Sequence, residues 1–73
     1  TYLAVGSMDG YISFWQLASG RHLFTLNAFS PVLTLEWQPV KEPSLEMIIM
    51  CTCSDGYAKF WAVNMSERRA FPQ

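Results

Sequence analysis

The apolar positions of this chain recur in short, period-two runs. In Val32–Gln38, Leu33, Leu35 and Trp37 alternate with Val32, Thr34 and Glu36, the spacing that sends successive side chains to opposite faces of a strand. The run Met47-Ile48-Ile49-Met50-Cys51 is apolar at every position, so it predicts a strand covered by protein on both faces. Residues 2–7 and 11–17 flank Asp9-Gly10, and Glu46–Cys53 and residues 57–63 flank Asp55-Gly56. Each set predicts a hairpin, because Gly supplies the positive φ of a tight turn and the Asp carboxylate accepts backbone N–H bonds across it. After a further turn at Ala18-Ser19-Gly20-Arg21, residues 22–26 predict a third strand in which His22, Phe24 and Leu26 share one face. Ser30-Pro31 breaks the chain, and Pro39 and Pro43 bracket residues 40–45, predicted to be an exposed connector. No stretch sustains helical spacing. The chain therefore reads as all β, in short antiparallel strands.

The pattern also repeats. Asp9-Gly10-Tyr11-Ile12-Ser13-Phe14-Trp15 and Asp55-Gly56-Tyr57-Ala58-Lys59-Phe60-Trp61 agree at five of seven positions, with 46 residues between equivalent ones (55 − 9). A period of roughly 40–45 residues carrying four strands is that of a β-propeller blade. A stack of sheets also explains a strand that is apolar on both faces.

Leu3-Ala4-Val5-Gly6-Ser7-Met8-Asp9-Gly10-Tyr11-Ile12-Ser13-Phe14-Trp15, continued through Ser19-Gly20, resembles the closing half of a WD40 repeat. Residues 49–63 resemble a second copy, and residues 31–39 resemble the family's opening strand. The resemblance implies a propeller segment of four-stranded antiparallel blades, about one and three-quarter of them. Residues 1–27 would supply the last three strands of one blade and residues 28–73 the next, with residues 68–71 aligned to residues 22–25 as its outer strand. Asp9, Gly10, Trp15, Asp55, Gly56 and Trp61 are then structural. The family's Trp-Asp ending is Trp15-Gln16 and Trp61-Ala62 here, and its Gly-His is replaced by Ala28-Phe29. Without that His, apolar packing is expected to hold the blades together. A closed propeller needs more than 73 residues, so further blades of the same chain are expected partners.

Composition narrows the function. Five Lys and Arg against six Asp and Glu give a net charge of −1, with a pI near 5.6. There is no basic field for nucleic acid or anionic lipid, and no apolar run approaches the roughly 20 residues of a membrane-spanning helix. Cys51 and Cys53, about 6.7 Å apart along one strand face, are poorly placed for a disulfide and too few for a metal site. They read as buried thiols of a reducing compartment, which makes the protein intracellular, in cytoplasm or nucleus. Asn64-Met65-Ser66 matches a glycosylation acceptor, a chance match in that setting.

Asp9 and Asp55 belong to equivalent turns and do not form an acid pair, and a single His22 cannot complete a nucleophile-base-acid set. Tyr11, Tyr57, Phe14 and Phe60 occupy repeated strand positions and read as core. No cofactor or metal is expected, and no catalysis. The expectation is a non-enzymatic scaffold that binds protein partners within a larger assembly. Two alternatives are a propeller domain of an enzyme whose active site lies elsewhere and an independent small β-barrel that binds peptides. WD40 resemblance implies that partners meet the loop before the opening strand and the strand-strand turns, which nominates Met8, Phe29, Ser30 and Ser54. Phe29 either anchors a partner or packs into the space of the missing His.

Overall fold

The computed structural model describes residues 2–38 and 46–73. The connector expected at residues 40–45 lies outside them. Strands β1 (Tyr2–Gly6), β2 (Tyr11–Gln16) and β3 (Arg21–Asn27) form one antiparallel sheet in that order. Strands β4 (Val32–Gln38), β5 (Glu46–Cys53), β6 (Ala58–Asn64) and β7 (Arg69–Pro72) form a second, also in chain order. The described residues contain no helix, and the two sheets do not join into a barrel.

The two Asp-Gly turns are built alike. Gly10 and Gly56 have φ of 92° and 88°, a region that costs a side-chain-bearing residue about 1–2 kcal/mol. Asp9 Oδ1 accepts the N–H of Tyr11 at 3.3 Å and Asp55 Oδ1 that of Tyr57 at 3.1 Å. The β2–β3 and β6–β7 turns also match, with Gly20 and Arg68 holding positive φ (68° and 56°) immediately before the returning strand.

Three registers differ from the sequence expectation. In β4 the pairing with β5 shifts between Val32 and Thr34, a bulge that leaves Leu33 58% exposed, off the face expected for it with Leu35 and Trp37, while Val32 is buried. Phe14 lies opposite Phe24 while Trp15 lies opposite His22, so Leu23 is an extra residue, a β-bulge. The bulge turns His22 away from the face shared by Phe24 and Leu26. Its ring packs edge-on against Trp15 at 5.0 Å, and Nε2 lies 2.8 Å from the Thr25 hydroxyl. In the second sheet, residues 68–71 are not the counterparts of residues 22–25. Pro72 lies opposite Trp61 as His22 lies opposite Trp15, an offset of 50 residues (72 − 22). The cause is that β6 continues to Asn64 before turning, which delays the return strand.

The core lies between the sheets. Ile12 and Phe14 of β2 are fully buried against Ile49 and Cys51 of β5 and Val63 of β6, with Trp61 at 8% exposure beside them. Full burial of such side chains contributes about 1.5–3 kcal/mol each. Phe14 stacks on Phe24 at 4.6 Å and meets Trp37 of β4 at 6.0 Å. Gly6 allows a close approach of the sheets, since a Cβ there would lie 2.7 Å from Val32 Cγ1. Among the described residues, β5 is covered on one face only: Ile49, Cys51 and Cys53 are buried toward the first sheet, and Ile48 and Met50 on the opposite face are half-buried.

This stacking has a direction. Because side chains alternate along a strand, the first sheet turns its Phe14 face to the interface and Trp15 away from it. The second sheet turns Trp61 to the interface and Phe60 away, and Phe60 is 37% exposed. Equivalent faces therefore do not meet. The Trp face of one copy sits on the Phe face of the other.

Candidate functional site

The loop from β3 to β4 crosses from one sheet to the other between the two Asp-Gly turns, and this end of the molecule gathers the residues singled out as partner-binding. Backbone bonds fasten the loop on both sides: Ala28 N–H donates to Gly10 O (2.8 Å), Val32 N–H to Ser7 O (3.1 Å) and Ser54 N–H to Pro31 O (3.0 Å). Ser30 sits in the middle. Its hydroxyl lies 3.2 Å from that of Ser54 and accepts the Asp55 N–H at 3.2 Å, so Ser30 and Ser54 tie the loop to the second turn. A Cβ on Gly10 would come within 3.3 Å of the Ser30 backbone, so the first turn is pressed against the same residue. In that turn the Ser7 hydroxyl donates to Asp9 Oδ1.

Lys59 completes the clamp. Its Nζ donates to Ala28 O at 2.6 Å and pairs with Asp55 Oδ2 at 2.9 Å, joining β6 and the second turn to the crossing loop. The hydrogen bond from Lys59 holds the Asp55 carboxyl below its ordinary pKa, and the same bond raises that of Lys59. Apolar packing was the expected tie between sheets; a cation supplies a second one. The equivalent residue of the first copy is Ser13, so the repeat carried no sign of this role. The one available signal was an acid and a base four residues apart across a turn.

Anchored below, the rim displays apolar groups above. Phe29 is 84% exposed, with φ of 63°, and its N–H is held by Asn27 Oδ1 at 2.8 Å. Of the two fates open to Phe29, display is the one adopted. A left-handed non-Gly residue carries backbone strain that its surroundings must hold in place, and here Asn27 and the clamped Ala28 do so. Met8 is 68% exposed at the first turn. Tyr57, expected in the core, is also 68% exposed, because it follows the turn Gly and precedes the first residue of β6. Tyr11, the first residue of β2, also departs from the core expectation at 44% exposure. A cleft of about 300 Å³ opens beside Phe29, with Lys59, Phe60 and Trp61 among its walls.

The remaining candidate chemistry is dispersed. His22 faces Trp15 on β3. Asp9 and Asp55 are bonded within their own turns. The Cys51 and Cys53 thiols are free, buried and 3.6 Å apart, and burial together with the Cys53 thiol pushes Cys51 up to about 11. A thiol held neutral in this way is a poor nucleophile. Among the described residues, no three His, Cys, Asp or Glu side chains converge as a metal site, and no helix is long and apolar enough to cross a membrane. Comparison with family models, with curated proteins and with solved structures finds no match. The chain's own two copies remain as the comparison.

Proposed function

We propose that this chain is a segment of a WD40-type β-propeller scaffold, about one and three-quarter blades, that binds a protein partner through the rim carrying its Asp-Gly turns. The observation that carries this reading is the direction of stacking. A two-sheet sandwich closed on itself buries its apolar faces against each other and needs nothing further. Here the Trp face of one copy covers the Phe face of the other, which leaves a Trp face at one end and a Phe face at the other for further copies. The sheets supply rigid strands, and the binding groups sit on the connections between them.

Binding rather than catalysis is supported by how the rim is made. Its polar groups are spent on internal bonds, with Ser30, Asp55 and Lys59 all engaged, and its outward groups are the apolar side chains of Met8, Phe29 and Tyr57. Such side chains on a fixed backbone are suited to anchoring in pockets of a partner. Two reduced, buried thiols support an intracellular setting for this role. Met8→Asp and Phe29→Ala should each weaken co-purification of the partner by about 1–3 kcal/mol while leaving the melting temperature unchanged. Asp55→Ala should lower the melting temperature with no selective loss of binding. Partner recovery equal to wild type in both rim variants would move the binding surface off this rim.

A further inference from the structure

We infer that Ser30 is a phosphorylation site for a proline-directed protein kinase, and that a phosphate there opens the clamp between the crossing loop and the second Asp-Gly turn. The effect on binding rests on the rim reading given under Proposed function; the modification and the opening of the clamp do not. Of all the Ser and Thr in the chain, Ser30 alone is followed by proline. Pro31 has no N–H to satisfy, so the Ser-Pro peptide enters an apolar kinase pocket without leaving a donor unpaired. The segment lies at the surface, with Ser30 half-buried beside the exposed Phe29.

The place of Ser30 makes a charge there consequential. Its Oγ accepts the Asp55 N–H and lies 3.2 Å from the Ser54 hydroxyl, and Gly10 of the first turn presses on its backbone. The residue is wedged between two turns that each carry a carboxylate, Asp9 and Asp55. In the transfer, Ser30 Oγ attacks the γ-phosphorus of magnesium ATP. An O–P bond forms as the bond from that phosphorus to the β-phosphate oxygen breaks, ADP departs, and the hydroxyl proton passes to the kinase's base. The product carries about −1.5 to −2 charge where a neutral hydroxyl stood. Its ester oxygen has no proton to share with Ser54, and the phosphate repels the Asp55 carboxylate beside it. Lys59, the cation of the clamp, brings one positive charge against both anions. Repulsion therefore prevails. The loop leaves the second turn, Ala28 loses the Lys59 bond, and Phe29 loses the support of its left-handed backbone. The closed clamp in turn withholds the Ser30 hydroxyl from the kinase, because each state excludes the other.

Incubation of the full-length protein with a mitogen-activated protein kinase and magnesium ATP, read by phosphopeptide mass spectrometry and thermal melts, tests this. Ser30 should take up phosphate, and the phosphorylated protein should melt at a lower temperature than the unmodified form. Pro31→Ala should leave Ser30 unmodified; it keeps the carbonyl that accepts the Ser54 N–H, so the loss reports recognition. Lys59→Met should be phosphorylated severalfold faster than wild type, because the loop is released, and Ser54→Ala replaces it if circular dichroism shows the strands lost. The co-purified partner should bind the phosphorylated protein about tenfold more weakly. Ser30 left without phosphate, or modified equally in Pro31→Ala, overturns the site. Phosphate on Ser30 with an unchanged melt, or an unchanged rate in Lys59→Met, overturns the opening of the clamp. A lowered melt with partner binding intact overturns the rim reading and leaves the site standing.

Discussion

Phe14-Trp15 and Phe60-Trp61 are the same dipeptide, at the same position of the same hairpin, with opposite fates. Phe14 is fully buried and Phe60 is 37% exposed; Trp61 is 8% exposed and Trp15 is half-buried. Neither propensity nor local sequence accounts for this, since both are shared. Each hairpin buries one face against the other sheet, the first its Phe14 face and the second its Trp61 face. Burial at these positions is a property of the stack, as expected where repeats contact only their neighbours.

The sharpest way to break the comparison is to truncate both members. Phe14→Ala and Trp61→Ala should each cost about 3–5 kcal/mol by urea denaturation, because a cavity opens in a closed interface. In dilute monomer, Phe60→Ala and Trp15→Ala should cost under about 1 kcal/mol, the side chain having been only partly removed from water. Equal costs within each pair would contradict the stacking sense.

The next effect concerns the close approach of the sheets at Gly6. Gly6→Thr gives the first hairpin the residue of the second and should cost about 1–3 kcal/mol through overpacking against Val32. Thr52→Gly makes the reverse exchange. It should cost under about 1 kcal/mol, since what it loses is strand propensity and the 2.6 Å contact between the Thr34 and Thr52 hydroxyls. Denaturation midpoints of the two variants give the contrast directly.

A smaller effect separates Cys51 from its counterpart Val5, which cannot ionise. The folded-state pKa of Cys51, about 11, lies above the 9.0 of the free thiol, so its contribution is fully present below pH 9 and is lost as pH rises from there toward 11. Between about pH 8 and pH 10 the loss should be about 1–2 kcal/mol, and Cys51→Ala should flatten that slope in thermal melts. A slope unchanged in the variant would assign the alkaline loss to another group.

Much of this fold was legible because hairpins announce themselves. Alternation and the two Asp-Gly dipeptides located β1, β2, β4, β5 and β6 to within about a residue at either end. What was not legible was register. Nothing in His22-Leu23-Phe24 marks a bulge; the extra residue follows from where Phe24 must stand to stack on Phe14. The overrun of β6 to Asn64 was hidden for the same reason, because the strand ends where packing of Val63 and Met65 against the core ends. At the rim, the loop and turns were located, but the display of Phe29 depends on a left-handed backbone held by Asn27 and by the Lys59 bond to Ala28. The Asn27 bond is local, between residues two apart, but the Lys59 bond comes from tertiary geometry, and a non-Gly residue at positive φ leaves no mark in sequence.

The stacking sense is the claim on which the rest depends, and nuclear Overhauser contacts among the aromatic rings of the dilute, labelled chain read it most directly. Phe14 should show contacts across the interface to Trp37, whose ring lies 6.0 Å away, and Trp15 should show ring contacts to His22 of its own sheet. Contacts between Trp15 and Trp61 would mean that like faces meet, a closed sandwich with no place for a further sheet.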